Sequence, residues 1–326
     1  MLLRETILQS LKAQKNAWVS GATLSHELNV SRTTVWKQMQ QLLAAGYAIE
    51  ASTKKGYRLT SEVDRLSPEE VRSGLASAEF GRWNYFYYPE TDSTNARARD
   101  LAAQGYPEGT VVVAERQTAG RGRRGRRWYS PANKGIYLSI ILRPKLPLKD
   151  IARISLVAAV AVAETLETEL QLPARIKWPN DLFIGHKKIA GILAEAATDM
   201  DSIEYIVVGI GLNFNHTLQD FPDELQSCAT SVLLEDPAQR RRVNCLQNLL
   251  LQLEEHYAQL LNGDFNRILV KARRLSMVIA KEVQFDSLNS TIAGKAIDID
   301  DNGFLLVRDP SGVIHSMMSG EITRIS

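Results

Sequence analysis

The stretch Gly120-Arg121-Gly122-Arg123-Arg124-Gly125-Arg126-Arg127-Trp128 places five arginines and three glycines in nine consecutive residues. Its glycines stand at G-x-G-x-x-G spacing, which holds a pyrophosphate when the motif comes after a strand and opens a helix. A strand pattern precedes it at residues 110–115 (TVVVAE). Beyond Trp128 a run of turn formers extends to Gly135 and leads into a second strand pattern, 136–142 (IYLSIIL), without helical periodicity. A doubly wound dinucleotide fold is therefore disfavoured, and no G-x-x-x-x-G-K-[ST] loop occurs. Two readings remain: a loop that folds over an anionic ligand, or an exposed basic loop without a role.

The surrounding segments favour a ligand. Residues 175–181 (RIKWPND) read as a strand entering a turn with Lys177 at its end, and 187–195 (KKIAGILAE) return as another strand. Residues 205–215 (YIVVGIGLNFN) read as a third, with Gly209, Gly211 and Asn213 placed where a ligand approaching backbone requires small side chains. Residues 91–95 (TDSTN) sit between a strand and a helix and offer hydroxyl and amide groups. Polar signatures at several strand ends around one basic loop describe a composite pocket.

Composition bounds the remainder. The 326 residues allow two or three domains, and 44% apolar with 23% charged residues is ordinary for a globular protein. A net charge of +2 is too small for general polyanion binding, so any nucleic-acid contact comes from a local patch. Cys228 and Cys245 match no metal-ligand spacing and read as buried thiols in a reducing compartment. No two histidines have zincin spacing. The start, MLLRETILQS, lacks the apolar core of a signal peptide, and the most apolar run, 155–166 (SLVAAVAVAETL), reads as a buried helix, so a cytoplasmic location is expected.

Within the first sixty residues, Ile7, Leu8 and Leu11 recur at helical spacing. Ser20 is placed to cap a helix through Leu28, and Ser31 a second helix over 32–45 that Gly46 stops. Val35, Met39, Leu42 and Leu43 form its apolar stripe, leaving Arg32, Thr33, Thr34, Lys37, Gln38 and Gln41 largely outward. Arg, Gln and Thr address base edges, and Lys holds phosphates. A hairpin over 47–59 carries Lys54 and Lys55 at its tip. This pattern resembles a winged helix-turn-helix, with protein contact or gating of a neighbouring site as the other use. Ser67-Pro68-Glu69-Glu70 reads as a capping box that starts a new helix.

TDSTN, QTAGRGRRGRRW, KWPND, KKIAGIL and VVGIGLN, in that order, resemble the motifs of the biotin protein ligases, and the N-terminal segment resembles the branch that also represses biotin genes. The resemblance implies a multidomain α+β chain: a winged helix-turn-helix (1–62), a catalytic domain with a mixed sheet like that of class II aminoacyl-tRNA synthetases (63–276), and a small SH3-like β-barrel (277–326). It implies ATP-dependent formation of biotinyl-5'-AMP, with Mg2+, and transfer of biotin to a lysine of a biotin carboxyl carrier protein, an acetyl-CoA carboxylase subunit or part of another biotin-dependent carboxylase. By the same resemblance Lys177 and Arg123 are catalytic. Ser93, Thr94, Asn95, Gln117, Arg121, Gly122, Arg123 and Lys177 bind biotin. Gly120, Arg121, Arg123, Asn180 and Asn213 bind the adenylate, and Asp181 is a candidate for Mg2+. Gly120, Gly122 and Gly125 give the loop its mobility. Ser31, Arg32, Thr33, Thr34, Lys37, Gln38, Lys54 and Lys55 contact operator DNA as an adenylate-bound homodimer. Three rivals stand beside this: a ligand-sensing transcription factor without catalysis, a lipoate ligase, and a ligase whose N-terminal domain only gates its acceptor.

Overall fold

The structure, a computed structural model, describes the chain except residues 1–2, 15, 62–63, 148–149, 200–201, 239, 287–290, 319 and 326. It divides into two compact units, Met1–Leu75 and Ala76–Ser326. The expected boundary at 62/63 lies outside the described residues.

In the first unit, α1 (Leu3–Ala13), α2 (Gly21–Glu27) and α3 (Arg32–Ala44) precede a hairpin of β1 (Ala48–Ser52) and β2 (Gly56–Ser61). Ser20 and Ser31 each accept a backbone N–H three residues on, at 3.0 Å, which satisfies a donor that the helix leaves unpaired. Ile7, Leu8 and Leu11 of α1 meet Leu24, Val35, Met39 and Leu42 in one core that Ile49 and Leu59 close from the hairpin. Gly56 is required there. Its φ is +99°, and a Cβ would lie 2.1 Å from the Val19 carbonyl oxygen. Helix α4 (Pro68–Arg72) begins with Pro at its first turn, but the Ser67 hydroxyl makes no capping bond, so the expected capping box does not form. Instead Glu70 is buried and receives Lys12 at 2.6 Å, which holds α4 to α1 within this unit.

The second unit is built on a seven-stranded mixed sheet of β3 (Tyr85–Tyr88), β4 (Val111–Ala114), β5 (Gly135–Leu142), β6 (Arg175–Lys177), β7 (Asp181–Ile184), β8 (Lys187–Asp199) and β9 (Ser202–Asn213). The order is β3-β4-β5-β9-β8-β7-β6, and β3 with β4 is the parallel pair among antiparallel neighbours. Helix α5 (Thr94–Ala103) packs on Val112, Ile141 and Val207. Every residue of β5 is buried, so the opposite face is covered too. The apolar run expected as a buried helix is α6 (Ile151–Leu170), which packs with α9 (Arg242–Leu261) and α10 (Phe265–Leu275). Two four-residue helices, α7 (Asp223–Gln226) and α8 (Val232–Glu235), lie between β9 and α9.

The C-terminal strands β10 (Glu282–Asp286), β11 (Thr291–Ile299), β12 (Leu305–Arg308), β13 (Ile314–Met317) and β14 (Glu321–Ile325) form an antiparallel sheet of order β13-β12-β11-β10-β14. Val283, Phe285, Ala296, Ile299, Leu305, Val307, Met317 and Ile322 are buried in it. Trp178, 2% exposed, fastens the two sheets by donating its indole N–H to the Gly303 carbonyl at 3.0 Å.

Beneath the large sheet, Arg242 of α9 pairs with Glu115 at 2.6 Å and also donates to the Gly135 carbonyl at 3.1 Å, with both charged side chains buried. Removing one member of such a pair strands the other charge. Glu115→Ala is expected to destabilise this unit by about 3–5 kcal/mol, and the double variant Glu115→Ala/Arg242→Met by less. Chemical denaturation of the three proteins checks the order.

Candidate functional site

A cavity of about 950 Å³, open solvent at its mouth included, is lined by the start of α5, the arginine-glycine loop, the β6–β7 turn, β8, β9 and the segment Gly320-Glu321-Ile322. Sequence-distant strand ends are therefore brought together, as the composite pocket requires.

The α5 end is set by a hydrogen-bond chain. Thr91 and Gln117 bridge in parallel, which seats the TDSTN turn on the strand leading into the loop. The Thr94 N–H and hydroxyl donate to Gln117 Oε1 at 2.8 and 3.1 Å, and Gln117 Nε2 donates to Ser130 at 2.9 Å. Asn95 Nδ2 donates to Glu195 at 2.8 Å. Ser139, fully buried on β5, lies 2.8 Å from Thr94 Oγ1 and 2.6 Å from Asn95 Oδ1. Thr94, Asn95 and Gln117 thus line the cavity with polar atoms already engaged. Ser93 caps α5 in extended conformation without a side-chain bond, so its hydroxyl is the group of this set left for a ligand.

The loop is a closed excursion. Trp128 N–H returns to the Gly120 carbonyl at 2.9 Å, and Gly122 N–H meets the Arg126 carbonyl at 2.7 Å. Its tip, Arg123–Gly125, is one 3₁₀ turn in which Arg124 has φ +56°, so no long helix comes after the glycines. The arginines diverge. Arg123, half-buried, crosses the cavity to Asn180 Oδ1 at 2.7 Å. Arg121 reaches Glu195 at 3.5 Å, Arg127 donates to the Thr118 carbonyl, and Arg124 and Arg126 both engage Glu321. The Arg126 guanidinium holds the Glu321 carboxyl below the usual carboxylate range, while burial draws Arg123 down from the ordinary guanidinium value.

Glycines 209 and 211 line the cavity, but their need to be small comes from the protein. A Cβ at Gly209 would lie 2.0 Å from Asn95 Oδ1, and one at Gly211 2.4 Å from Trp128 Nε1. Gly120 is equally constrained, by the Trp128 carbonyl at 2.5 Å, and lines a second cavity of about 710 Å³ between the loop and Leu193 and Glu195. Asn213 is buried, donates to the Thr230 carbonyl at 3.0 Å and does not line the main cavity.

On the opposite wall, Lys177 opens the β6–β7 turn, whose Trp178–Pro179 peptide is cis. Its ammonium lies 5.5 Å from the Phe183 ring and has no hydrogen bond or ion pair among the described residues. Burial pushes its pKa down. Lys188, outside the expected set, lies 5.4 Å over the Trp128 ring and 2.8 Å from Asp181. Strand periodicity could not single it out, because the β7–β8 register shifts between Leu182 and Phe183. Asp181 also accepts from Asn180 Nδ2 at 3.0 Å. Among the described residues no cluster of three His, Cys, Asp or Glu could cage a metal ion. No histidine lines the cavity. Cys245 is buried, but Cys228 is exposed, contrary to expectation, because it falls at the end of short α7 rather than within the core.

In the first unit, Arg32, Thr33, Lys37, Lys54 and Lys55 are exposed, Thr34 and Gln38 half-buried, and Ser31 holds the N-cap. Trp18 lies beneath the hairpin cations, 4.9 Å from the Arg58 guanidinium and 5.7 Å from Lys55.

Residues 87–213 match the biotin/lipoate A/B protein ligase family, 3–58 an HTH domain, and 278–323 the biotin protein ligase C-terminal domain. The bifunctional ligase/repressor BirA of Bacillus subtilis is 38% identical over 311 residues, covering 95% of each chain. The biotin–[acetyl-CoA-carboxylase] ligase of Mycobacterium tuberculosis is 33% identical over 80% of this chain and 98% of its own. Among solved structures, the biotin protein ligase from Aquifex aeolicus in complex with biotin and ATP aligns with TM-score 0.65 and 30% identity, over 75% of this chain and all of that one.

Ser139→Ala unties Thr94 from Asn95 and leaves buried polar atoms short of a partner. It is expected to cost about 1–3 kcal/mol of stability, checked by denaturation.

Proposed function

The chain belongs to the biotin protein ligases that carry a helix-turn-helix domain, and from that premise we propose that it makes biotinyl-5'-AMP from biotin and ATP, transfers biotin to a carrier-protein lysine and represses biotin genes. One observation carries the catalytic reading: seven cationic side chains line a cavity that holds two carboxylates, Asp181 and Glu321, each already engaged by cations of the site. Both reactants of the first step are anions, so charge neutralisation and alignment dominate its barrier.

A biotin carboxylate oxygen attacks the α-phosphorus, and pyrophosphate leaves. Lys177, partly desolvated and without an ion-pair partner among the described residues, bridges the carboxylate and the α-phosphate; Lys188 is the second ammonium on the same wall. Arg121 and Arg123 take the remaining oxygens through planar, multi-donor guanidinium groups, with Asn180 fixing the direction of Arg123. Ser93 meets the ureido ring, while Thr94, Asn95 and Gln117 hold that wall rigid and Gly122 lets the loop backbone approach. Gly120 and Asn213 serve the frame around the adenylate. In the second step a carrier lysine attacks the activated carbonyl and AMP leaves as a stable anion. Loop closure keeps water from the mixed anhydride.

The residues present do not form a dedicated Mg2+ cage: Asp181 is committed to Lys188 and Asn180, and Asn180 Oδ1 to Arg123. Mg2+ fits this site as an ion that enters on the triphosphate and keeps much of its water. No step here depends on a protein-held metal.

The acceptor is a biotin carboxyl carrier protein of acetyl-CoA carboxylase or another biotin-dependent carboxylase. Ser31, Arg32, Thr33, Thr34, Lys37 and Gln38 enter the major groove of operator DNA, while Lys54 and Lys55 hold phosphates. Adenylate-driven dimerisation sets two such helices on successive half-sites, and the protein acts in the cytoplasm. Among the described residues no helix is long and apolar enough to cross a membrane.

Exchange of labelled pyrophosphate into ATP tests the chemistry. It is expected with biotin and not with lipoate; the reverse result transfers the reading to a lipoate ligase, and exchange with neither to a sensor. Lys177→Ala is expected to lower exchange by roughly 10²-fold or more, and near-normal exchange removes Lys177 from its role. Biotin with ATP is expected to tighten binding to DNA selected by this protein, and an affinity indifferent to both overturns the coupling.

A further inference from the structure

The side chains assigned to DNA contact on α3 and the hairpin are entirely polar, yet the largest exposed side chain on α3 is apolar. Trp36 is 52% exposed. It stands in the second turn of α3, four residues from Arg32 and from Gln40, both exposed, and next to exposed Lys37. At 100° per residue it stands within about 60° of Arg32, Gln40 and Thr33 and equally of Met39 and Leu43, at the border of the apolar stripe. Its exposure, and its absence from the core that takes Val35, Met39, Leu42 and Leu43, leave the indole facing solvent beside those polar side chains. Trp18 in the same unit provides the contrast, because Arg58 and Lys55 cover its ring; Trp36 has no ring or cation partner among the described residues.

Charge identifies the partner of this face. Residues 32–44 carry Arg32 and Lys37 and no acid, and the hairpin turn adds Lys54 and Lys55. An apolar ring within a one-sign cationic face fits a polyanion that presents an apolar group between its phosphates. In the major groove that group is the C5-methyl of thymine, and the N-terminal half of a recognition helix is the part that reaches base edges. We propose that Trp36 is a specificity-determining residue that reads a thymine methyl in each operator half-site. This rests on the reading of the protein as a repressor.

The full chain, with biotin and ATP, selects its preferred duplex from a randomised DNA pool, and affinities are then measured by fluorescence anisotropy. Each thymine is replaced singly by uracil, which removes only the methyl. For the unsubstituted protein one thymine per half-site is expected to show a roughly 3- to 10-fold loss, the scale of one buried methyl group. Trp36→Ala is expected to bind the thymine duplex 10-fold or more weakly and to be insensitive to uracil at that position, with Trp36→Phe keeping part of the sensitivity. Unchanged biotin-dependent pyrophosphate exchange and an unchanged circular dichroism spectrum show that Trp36→Ala is folded. A selected duplex whose uracil forms bind equally well, or a Trp36→Ala protein as uracil-sensitive as its parent, overturns the proposal while leaving the repressor reading in place. A pool that yields no preferred sequence overturns both.

Discussion

Mutual repulsion among the cations of one cavity is the constraint to which the rest of the catalytic unit answers. Two lysines and five arginines converge on the same space, and like charges in a partly desolvated cleft push one another apart. The protein meets this with single carboxylates at separate points. Glu321 holds Arg124 and Arg126 at the far side of the loop, Glu195 holds Arg121 at its base, and Asp181 holds Lys188 on the opposite wall. Arg123 is directed by a neutral group, Asn180, and Lys177 has no hydrogen bond or ion pair among the described residues. Arg127, which is exposed, donates only to the Thr118 carbonyl; of the half-buried cations of the site, Arg123 and Lys177 are the two without a carboxylate ion pair among the described residues, and there an anionic ligand gains most.

Keeping those charges in place requires a rigid frame, and the frame explains residues that a ligand alone would not. Trp128 closes the loop base by backbone bonding, presses its ring against Gly211 and lies under Lys188. Asn95 sits over Gly209, and Ser139 pins it from β5. Trp178 carries the β6–β7 turn onto the C-terminal sheet, from which Glu321 returns to the loop. The small sheet is therefore part of the site rather than an appendage.

Much of this was legible along the chain. Ser20, Ser31 and Gly46 marked helix ends because caps and left-handed stops act over three or four residues. The strand-loop-strand context of residues 110–142 disfavoured a dinucleotide fold, since the residues on either side of a glycine motif carry local information. The capping box at Ser67 failed because Glu70 is drawn to Lys12, a partner 58 residues away. Cys228 was misplaced because a residue type carries only an average burial, and this one lies at a short helix end.

By itself the sequence determined the winged-helix elements, the strand and turn segments around the site and the gathering of cations in one loop, all of which derive from periodicity, capping and residue type, whereas the mixed sheet was implied by the resemblance to the biotin protein ligases. Tertiary structure alone decided which arginine faces the cavity, that Lys188 joins Lys177 there, that Ser139 stands behind Asn95, and that Gly209 and Gly211 are small for the sake of Asn95 and Trp128. Those outcomes depend on register shifts and on side chains meeting across 40 to more than 100 positions of chain. Separations of that kind leave no local pattern, because the physical contact exists only once the strands have paired.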